Sequence, residues 1–417
     1  MNAGELAPTG ANQRLQNLDV LRGFALLGIF LMNVEYFGRP LADMGQGIQP
    51  GQAPFDHALS WLIYVFVQGK FWILFSLLFG MGFALMDERA RAAGRDFTAI
   101  HLRRSLALLA IGLAHAWLVW AGDILVAYAI GALLLTWFRD LPPERQGRWG
   151  ALLYGLPTLG VLAMVALMLL LGFAGGAAGE HADPAHNSTQ AAARAVEVLA
   201  YSQGSWWQAT QARVQYFFAQ LIETLAFEPF ALGMFLVGAW LLRSGAIADP
   251  QAHAPLYRRL RRVVLPVGVA LALASAAVSV YFDWDHDGPR SLLAMSLMLA
   301  ASPLMSLGYL ALVVGALHTP RGARVLGVLA PAGRMALSNY LLQSFIGTWV
   351  FYGHGLGLWG QVSRRWQVAG VLVVFALQVV ASRWWLARFR FGPAEWLWRA
   401  CTYGRFPPMR VAAVHNL

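Results

Sequence analysis

The chain alternates long apolar segments with short polar ones, and the apolar segments approach the length of membrane-spanning helices. A bilayer core requires about 20 apolar residues per helix. The apolar run 57–68 is shorter and predicts a re-entrant or interfacial helix. We therefore predict an all-α polytopic integral membrane protein of about ten transmembrane helices. The predicted spans are 17–37, 70–86, 105–120, 123–138, 149–174, 226–243, 263–282, 292–317, 335–352 and 367–390.

Basic residues concentrate in every second loop, which predicts the orientation in the membrane. With the N-terminus in the cytoplasm, the inner segments hold 24 of the 31 basic residues. Cytoplasmic loops of membrane proteins carry such an excess of Lys and Arg. We therefore expect both termini to be cytoplasmic.

Composition narrows the class of protein further. Hydrophobic residues make up 58% of the chain and charged residues only 12%, about half the charged fraction of soluble domains. The basic residues that give the net charge of +10 form short clusters between the apolar segments. We therefore expect membrane lipids and no nucleic acid as partners. A single cysteine, Cys401, excludes an intramolecular disulfide. We expect the first apolar run to stay as an anchor rather than act as a cleaved signal peptide.

Three regions follow from this organisation. Residues 1–138 form an N-terminal membrane region, 139–225 contain the fifth span and a large outer loop, and 226–417 form a C-terminal membrane region. Within the loop, segment 189–222 has a helical pattern and carries adjacent tryptophans. It predicts either an amphipathic cap on the membrane surface or a lid over an outward-facing site.

Ionisable and amide side chains within spans are costly and are candidates for function. Arg22 and Asn33 are eleven residues apart, about three helical turns, so both lie on one face of the first span. The alternatives are a snorkelling arginine and an interhelical hydrogen bond. Glu35 follows at the outer interface. The next loop ends in Asp56 and His57, where a histidine beside a carboxylate is either a polar helix start or an oriented general base.

Three further polar groups lie toward the outer side. His115 ends the third span and Asp123 follows it across a tight turn. Glu228 lies near the start of the sixth span. The ninth span carries Tyr340 between Asn339 and Gln343, and the two amides are neighbours on one helical face. These amides could bind a substrate carbonyl or join two helices.

The sequence predicts no metal site. The segment DWDHDG at 283–288 resembles the start of a calcium loop, but position 294 is an alanine instead of the required glutamate. His181 and His186 lack a third ligand at suitable spacing. Walker, nucleophile-elbow and dinucleotide motifs are absent from the sequence.

Several motifs resemble the YeiB-like family of bacterial membrane proteins. The N-terminal half carries RLQNLDVLRGFALLGIFLMN from residue 14 and GKFWILFSLLFGMGFAL from residue 69. The C-terminal half carries PAGRMALSNYLLQS from residue 331, FYGHGLGL from residue 351 and FRFGPAEWLWRACTYGR from residue 389. The resemblance covers both ends of the chain and implies a multi-pass architecture in the bacterial plasma (inner) membrane.

A more distant resemblance implies an activity. Asp19, Arg22, Gly23 and Asn33, followed by His57 in the next loop, resemble the heparan-α-glucosaminide N-acetyltransferase family. The resemblance implies acyl transfer from cytosolic acetyl-CoA, or another acyl-CoA, to an acceptor on the far side of the membrane. In that interpretation Asn33 and His57 are catalytic, and Asp56 or Glu35 orients the imidazole.

The charge distribution suits an acyl-CoA donor. Arg22, Arg103 and Arg104 lie at the cytoplasmic face and could bind its phosphates. The acceptor would be a glycan or a lipid head group, and a homodimer is left open. The competing hypotheses are a transporter or lipid- or solute-binding protein without catalysis, and a structural or regulatory membrane partner. The transporter hypothesis predicts a midplane pocket containing Asn339, Gln343, Glu228 and His115.

Overall fold

The computed structural model describes residues 16–43, 48–49, 51–174, 194–281 and 288–411. Helices dominate this part of the chain, and its one extended pairing is an isolated bridge between Phe389 and Arg410. Eight helices are long and apolar enough to cross a membrane. The prediction of an all-α polytopic membrane protein is therefore confirmed.

Every predicted span overlaps a helix of the structure. In chain order the helices are α1 Gln16–Phe37, α2 Pro54–Phe66, α3 Lys70–Ala92, α4 Phe97–Leu118, α5 Leu125–Leu135, α6 Pro143–Ala174, α7 194–202, α8 Trp206–Ala219, α9 Leu221–Arg243, α10 Ala254–Arg259, α11 Leu265–Tyr281, α12 Gly288–Leu317, α13 Pro320–Gly327, α14 Ala330–Arg334, α15 Ala336–Phe351, α16 Arg364–Leu386 and α17 Pro393–Tyr403. A π-helical turn, Leu260–Val264, joins α10 to α11.

Two predicted spans are shorter than a bilayer. The span expected at 123–138 consists of α5 and a short 3₁₀ turn, Thr136–Phe138, and the span expected at 335–352 is the sixteen-residue α15. Both helices bury many of their side chains against other helices. No residue of α5 is exposed, so its length need not match the bilayer thickness. In contrast, α15 keeps one exposed apolar face, which contains Leu342, Phe345 and Trp349.

The predicted short helix at 57–68 corresponds to α2. A turn containing Gly69 (φ +80°) separates α2 from α3. Lys70, the first residue of α3, is fully buried, and its amine donates to the Tyr64 carbonyl (3.0 Å) and the Met298 sulfur (2.8 Å). Taken together, α2 and α3 form one apolar stretch, Pro54–Ala92.

Glycines allow the central helices to pack closely. A side chain at Gly80 of α3 would overlap the Phe235 carbonyl of α9, and one at Gly238 would overlap the Leu77 carbonyl. Small residues at such crossings let two helix backbones approach each other. The α3–α9 pair therefore forms the centre of the helix assembly. In contrast, only 17% of the most apolar stretch of α6 is buried by other parts of the protein, against 67% of that of α9.

The two ends of the assembly differ in charge. We call the end where Arg22, Arg104 and Arg243 lie the arginine-rich face, and the other end the far face. At the arginine-rich face, the fully buried Asp87 binds Arg139 (2.6 Å), Arg243 (2.6 Å) and Arg91 (2.9 Å). This cluster joins α3, α9 and the end of α5. The assignment of the arginine-rich face to the cytoplasm stays a prediction.

Candidate functional site

A cavity of about 270 Å³ opens between helices at the arginine-rich face. Its walls come from α1, α3, α4, α5, α15 and α17 and from the short α14. Five arginines and two carboxylates line it, which leaves a formal excess of three positive charges. The arginines are Arg22, Arg89, Arg104, Arg334 and Arg399, and the carboxylates are Asp19 and Glu395.

The cavity is deep and its interior is apolar. On α3 the lining residues extend from Ala90 near the arginine-rich face to Phe75. At 1.5 Å per residue, this corresponds to a depth of about 22 Å. Leu26, Leu78 and Leu108 lie between the two ends. The cavity therefore suits a molecule with an anionic end and a long, mostly apolar arm.

The charged side chains at the mouth are held in defined positions. Arg22 donates to Asp19 (3.2 Å), and the Arg104 guanidinium lies 3.5 Å from the centre of the Trp398 ring. Stacking on an aromatic face fixes an arginine without neutralising its charge. Arg104 therefore has a defined position while no carboxylate in the described part of the chain neutralises it.

Glu395 lines the mouth, but its carboxyl is engaged in hydrogen bonds to another helix. Its carboxyl accepts hydrogen bonds from the backbone N–H groups of Leu337 (2.7 Å) and Ser338 (3.1 Å), the first turn of α15. Burial raises the pKa of Glu395, and these hydrogen bonds oppose the rise. A carboxyl at a helix N-terminus is stabilised by the helix dipole. Glu395 thus fixes the start of α15 beside the cavity.

The inner end of the cavity adjoins a histidine–aspartate pair. His115 Nδ1 lies 2.6 Å from Asp123 Oδ2, and the Val126 N–H donates to the other oxygen of Asp123 (2.8 Å). Asp123 therefore accepts a hydrogen bond from the first turn of α5 and also orients the imidazole. Neither His115 nor Asp123 lines the cavity itself, but Ile124, the next residue along the chain, does.

The second ring nitrogen of His115, the one that does not contact Asp123, is buried and unpaired among the described residues. His115 Nε2 and the Tyr340 hydroxyl have no hydrogen-bonding partner among the described residues, and the two rings lie 5.2 Å apart. Tyr340 also lines the cavity. An imidazole held by a carboxylate through one nitrogen, with the other nitrogen unpaired, is the arrangement of a general base.

One face of α1 extends from the cavity mouth to its inner end. Arg22, Leu26 and Ile29 line the cavity at successive turns. Asn33 follows one turn later on the same face and is buried, with 6% of its surface exposed. Asn33 thus lies beyond the inner end of the cavity, on the side of the far face.

His57 and the two carboxylates predicted to orient it lie at the far face, and both carboxylates have arginine partners. Asp56 binds the Arg365 guanidinium (2.8 Å) and accepts from the Arg365 backbone N–H (2.7 Å). Glu35 binds Arg364 (2.6 Å) and Arg39. His57 is half-buried in the first turn of α2 and does not line the cavity. The structure thus pairs both carboxylates with arginines instead of with the imidazole.

The two amides of the ninth predicted span join helices. Asn339 donates to the Ser382 hydroxyl (3.0 Å), and Gln343 donates to the Gln378 side-chain oxygen (2.9 Å). Gln378 in turn donates to the Asn339 carbonyl (3.0 Å). These bonds tie α15 to α16, and neither amide lines the cavity.

The remaining predicted residues fall in different places. Arg103 is exposed and lies outside the cavity, whereas its neighbour Arg104 lines it. Glu228 is buried on α9, and neither of its carboxyl oxygens has a partner among the described residues. It lies against Gly131 of α5, three residues after Tyr128 in the cavity wall.

Sequence reasoning missed Arg334 and Arg399, although both lie within the C-terminal motifs quoted above. In the part of the chain that the structure covers, three or more potential metal ligands do not come together. His181, His186 and residues 283–287 lie outside the described residues.

The fold and the cavity define a multi-pass helical membrane protein with an arginine-lined pocket between its helices. Comparison with known sequences identifies the family to which the chain belongs. The chain belongs to the YeiB-like family of bacterial membrane proteins. Residues 241–405 match the family model described as "Protein of unknown function (DUF418)".

Two relatives match nearly the whole chain. The "Uncharacterized protein YxaH" of Bacillus subtilis is 34% identical over 430 residues, covering 97% of this chain and 98% of the relative. The "Uncharacterized protein YeiB" of Escherichia coli is 34% identical over 402 residues, covering 94% of this chain and 96% of the relative. No solved structure matches significantly.

Proposed function

We propose that this protein is a transmembrane acyltransferase of the bacterial plasma (inner) membrane. It takes an acetyl or other acyl group from acyl-CoA at the cytoplasmic face and transfers it to a glycan or lipid head group at the far face. The observation that carries the proposal is the arginine-lined cavity, which extends from the arginine-rich face to Ile124 and Tyr340, the neighbours of the His115–Asp123 pair.

The cavity matches the chemistry of an acyl-CoA donor. Coenzyme A carries phosphates on its nucleotide end and a long, uncharged arm that ends in the thioester. Arginine recognises phosphate through its planar fork of N–H donors. With the phosphates at Arg22, Arg104 and Arg399, the arm would extend along the apolar wall toward Tyr340.

The reaction follows from the groups at the inner end. His115 Nε2 accepts the proton of the acceptor hydroxyl or amine while the acceptor oxygen or nitrogen attacks the thioester carbonyl. The carbon–sulfur bond then breaks, the acyl group stays on the acceptor, and the proton leaves with the thiolate as free CoA. Asp123 holds the imidazole and stabilises its protonated form. The Tyr340 hydroxyl would donate to the developing oxyanion.

The roles implied for Asn33 and His57 by the distant resemblance remain part of the proposal. Asn33, one turn beyond the cavity on α1, would contact the acceptor or the oxyanion as the two substrates meet. His57 lies at the far face, where an acceptor enters. In this scheme His57 assists the acceptor, and His115 is the base at the thioester.

Binding of acetyl-CoA to purified protein in detergent tests the donor site. Arg103 and Arg104 form a matched pair, because they are adjacent on α4 and only Arg104 lines the cavity. We expect Arg104→Gln to weaken binding about 10- to 100-fold, as for a lost charged hydrogen bond to phosphate. Arg103→Gln should change it less than about 3-fold. Equal effects of both substitutions, or no binding by folded wild type, would contradict the cavity as the donor site.

A second measurement tests the chemistry separately from donor binding. CoA release from acetyl-CoA should fall at least 100-fold in His115→Ala and Asp123→Asn while acetyl-CoA still binds. His57→Ala provides the comparison with the role implied by resemblance. Normal turnover in His115→Ala, together with lost turnover in His57→Ala, would move the base from His115 to His57.

Glu228 favours a second candidate, a proton-coupled transporter. A buried carboxyl without partners inside a membrane helix is typical of proton pathways. A transporter would bind its solute without releasing CoA from acetyl-CoA, and Glu228→Gln would abolish proton-driven uptake. In an acyltransferase, Glu228→Gln should leave acetyl-CoA affinity unchanged, because Glu228 does not line the donor cavity.

A further inference from the structure

A second polar cluster lies at the far face, where α7 and α8 pack over the ends of α4 and α15. At its centre is Arg213 of α8, which is fully buried. Its Nε donates to the Trp117 carbonyl (2.8 Å) and its Nη2 to the Leu118 carbonyl (3.2 Å). These carbonyls end α4, so the guanidinium caps the negative end of that helix dipole.

The helix end neutralises only part of the arginine charge. A helix C-terminus carries about half a negative charge, whereas the guanidinium carries a full positive charge. Arg213 forms no ion pair with any carboxylate in the described ranges. Glu197 of α7 lies in the same neighbourhood, but its carboxyl accepts the Leu41 N–H (3.0 Å). Burial raises the pKa of Glu197 to about 7, so it carries only part of a negative charge near neutral pH.

The unpaired groups around Arg213 include several hydrogen-bond donors. Arg213 Nη1 and the hydroxyls of Tyr201 and Tyr352 are buried, and none has a partner among the described residues. The two tyrosine rings stack at 4.5 Å with an angle of 17°. The Gly353 N–H donates to the Tyr201 carbonyl (2.8 Å), which joins the end of α7 to the end of α15. Buried donors without acceptors are rare in folded proteins.

We propose that Arg213, Tyr201 and Tyr352 form a binding site for a small anion of the size of chloride. The proposal does not rest on acyl transfer. Nε and Nη2 already donate hydrogen bonds, so the two-nitrogen fork that binds carboxylate or phosphate is unavailable and only Nη1 remains to donate to a ligand. All three groups are buried, which also favours a monatomic anion.

The bound anion would connect three separate elements. Arg213 lies on α8, Tyr201 on α7 and Tyr352 at the end of α15. Chloride would therefore hold the α7–α8 segment against the membrane helices. This is the segment in which the sequence predicts either a surface cap or a lid, so the anion would determine how firmly it closes.

Thermal unfolding of the purified protein in detergent tests the site. At constant ionic strength, replacing potassium gluconate with potassium chloride should raise the Tm saturably by about 2–4 °C. Bromide should replace chloride, and a crystal grown in bromide should show an anomalous peak beside Arg213. Hydrogen exchange of residues 206–219 should slow in chloride.

Two variants separate anion binding from folding. The double variant Tyr201→Phe, Tyr352→Phe removes only hydroxyl groups, so it should fold and lose the chloride-dependent rise. Tyr216→Phe, on α8 like Arg213, is the matched control and should keep the rise. Arg213→Met should also lose it if the variant folds. A wild type indifferent to chloride, or a double variant that responds like wild type, would overturn the proposal.

Discussion

Replacing Glu197 with glutamine should remove a pH dependence from the stability of the protein. Glu197 lies on α7, outside the membrane spans, and 8% of its surface is exposed. Burial raises its pKa from the ordinary 4.5 to about 7, with a smaller contribution from nearby Asp43. The hydrogen bond from Leu41 and the charge of Arg194 oppose this rise.

The direction and size of the effect follow from proton linkage. Between about pH 4.5 and pH 7 the folded protein retains a proton on Glu197 that the unfolded chain has lost. The free energy of unfolding therefore falls as the pH rises through this window. One pKa unit corresponds to about 1.36 kcal/mol, so the full loss is about 3 kcal/mol. The contribution is fully present below pH 4.5 and fully lost above pH 7.

The assay is thermal or denaturant unfolding in detergent from pH 4 to pH 8. We expect the difference in unfolding free energy between wild type and Glu197→Gln to change by about 3 kcal/mol across the window. Glutamine keeps an oxygen that can accept the Leu41 N–H, so the hydrogen bond is retained. The exposed Glu144→Gln is the control and should leave the profile unchanged. Parallel profiles for wild type and Glu197→Gln would refute the reasoning.

Three other predictions concern packing, charge and topology. Asp87→Asn leaves three arginines around a neutral side chain and should lower the free energy of unfolding by about 3–5 kcal/mol, measured by thermal unfolding. The exposed Asp140→Asn should lower it by less than about 1 kcal/mol. Equal losses of stability would contradict a buried cluster. Gly80→Ala should impair folding by overlapping the backbone of α9, but Gly155→Ala, in open space, should not, as judged by size-exclusion chromatography. The exposed Cys401, at the arginine-rich face, should react with an impermeant maleimide only after cell lysis; labelling of intact cells would invert the predicted topology.

The helices and their approximate ends could be predicted from local sequence. Hydropathy over about 20 residues decides whether a segment enters the membrane, and every predicted span overlaps a helix. The lengths of α5 and α15 could not be predicted in this way. Both bury many side chains against other helices, and hydropathy does not show which apolar residues contact protein and which contact lipid.

Spacing along the chain also predicted part of the candidate site. Arg22 and Asn33 share a face of α1 because of helical periodicity, and His115 and Asp123 are close because a tight turn joins their helices. Both relations depend on residues near each other in the chain. The distant resemblance added roles for Asn33 and His57 but no partners.

Tertiary structure decided which partner each polar group has. Asp56 is adjacent to His57 in sequence, yet it binds Arg365, which lies 309 positions away. Arg399 reaches the same cavity as Arg22 although most of the chain separates them. Such pairings depend on how helices pack, and packing depends on shape complementarity between distant segments such as the Gly80 crossing. Local sequence is enough to predict the membrane helices and the accumulation of arginine in alternate loops, because both depend on local composition. The cavity could not be predicted from local sequence, because its walls come from helices at opposite ends of the chain and exist only once these helices pack together.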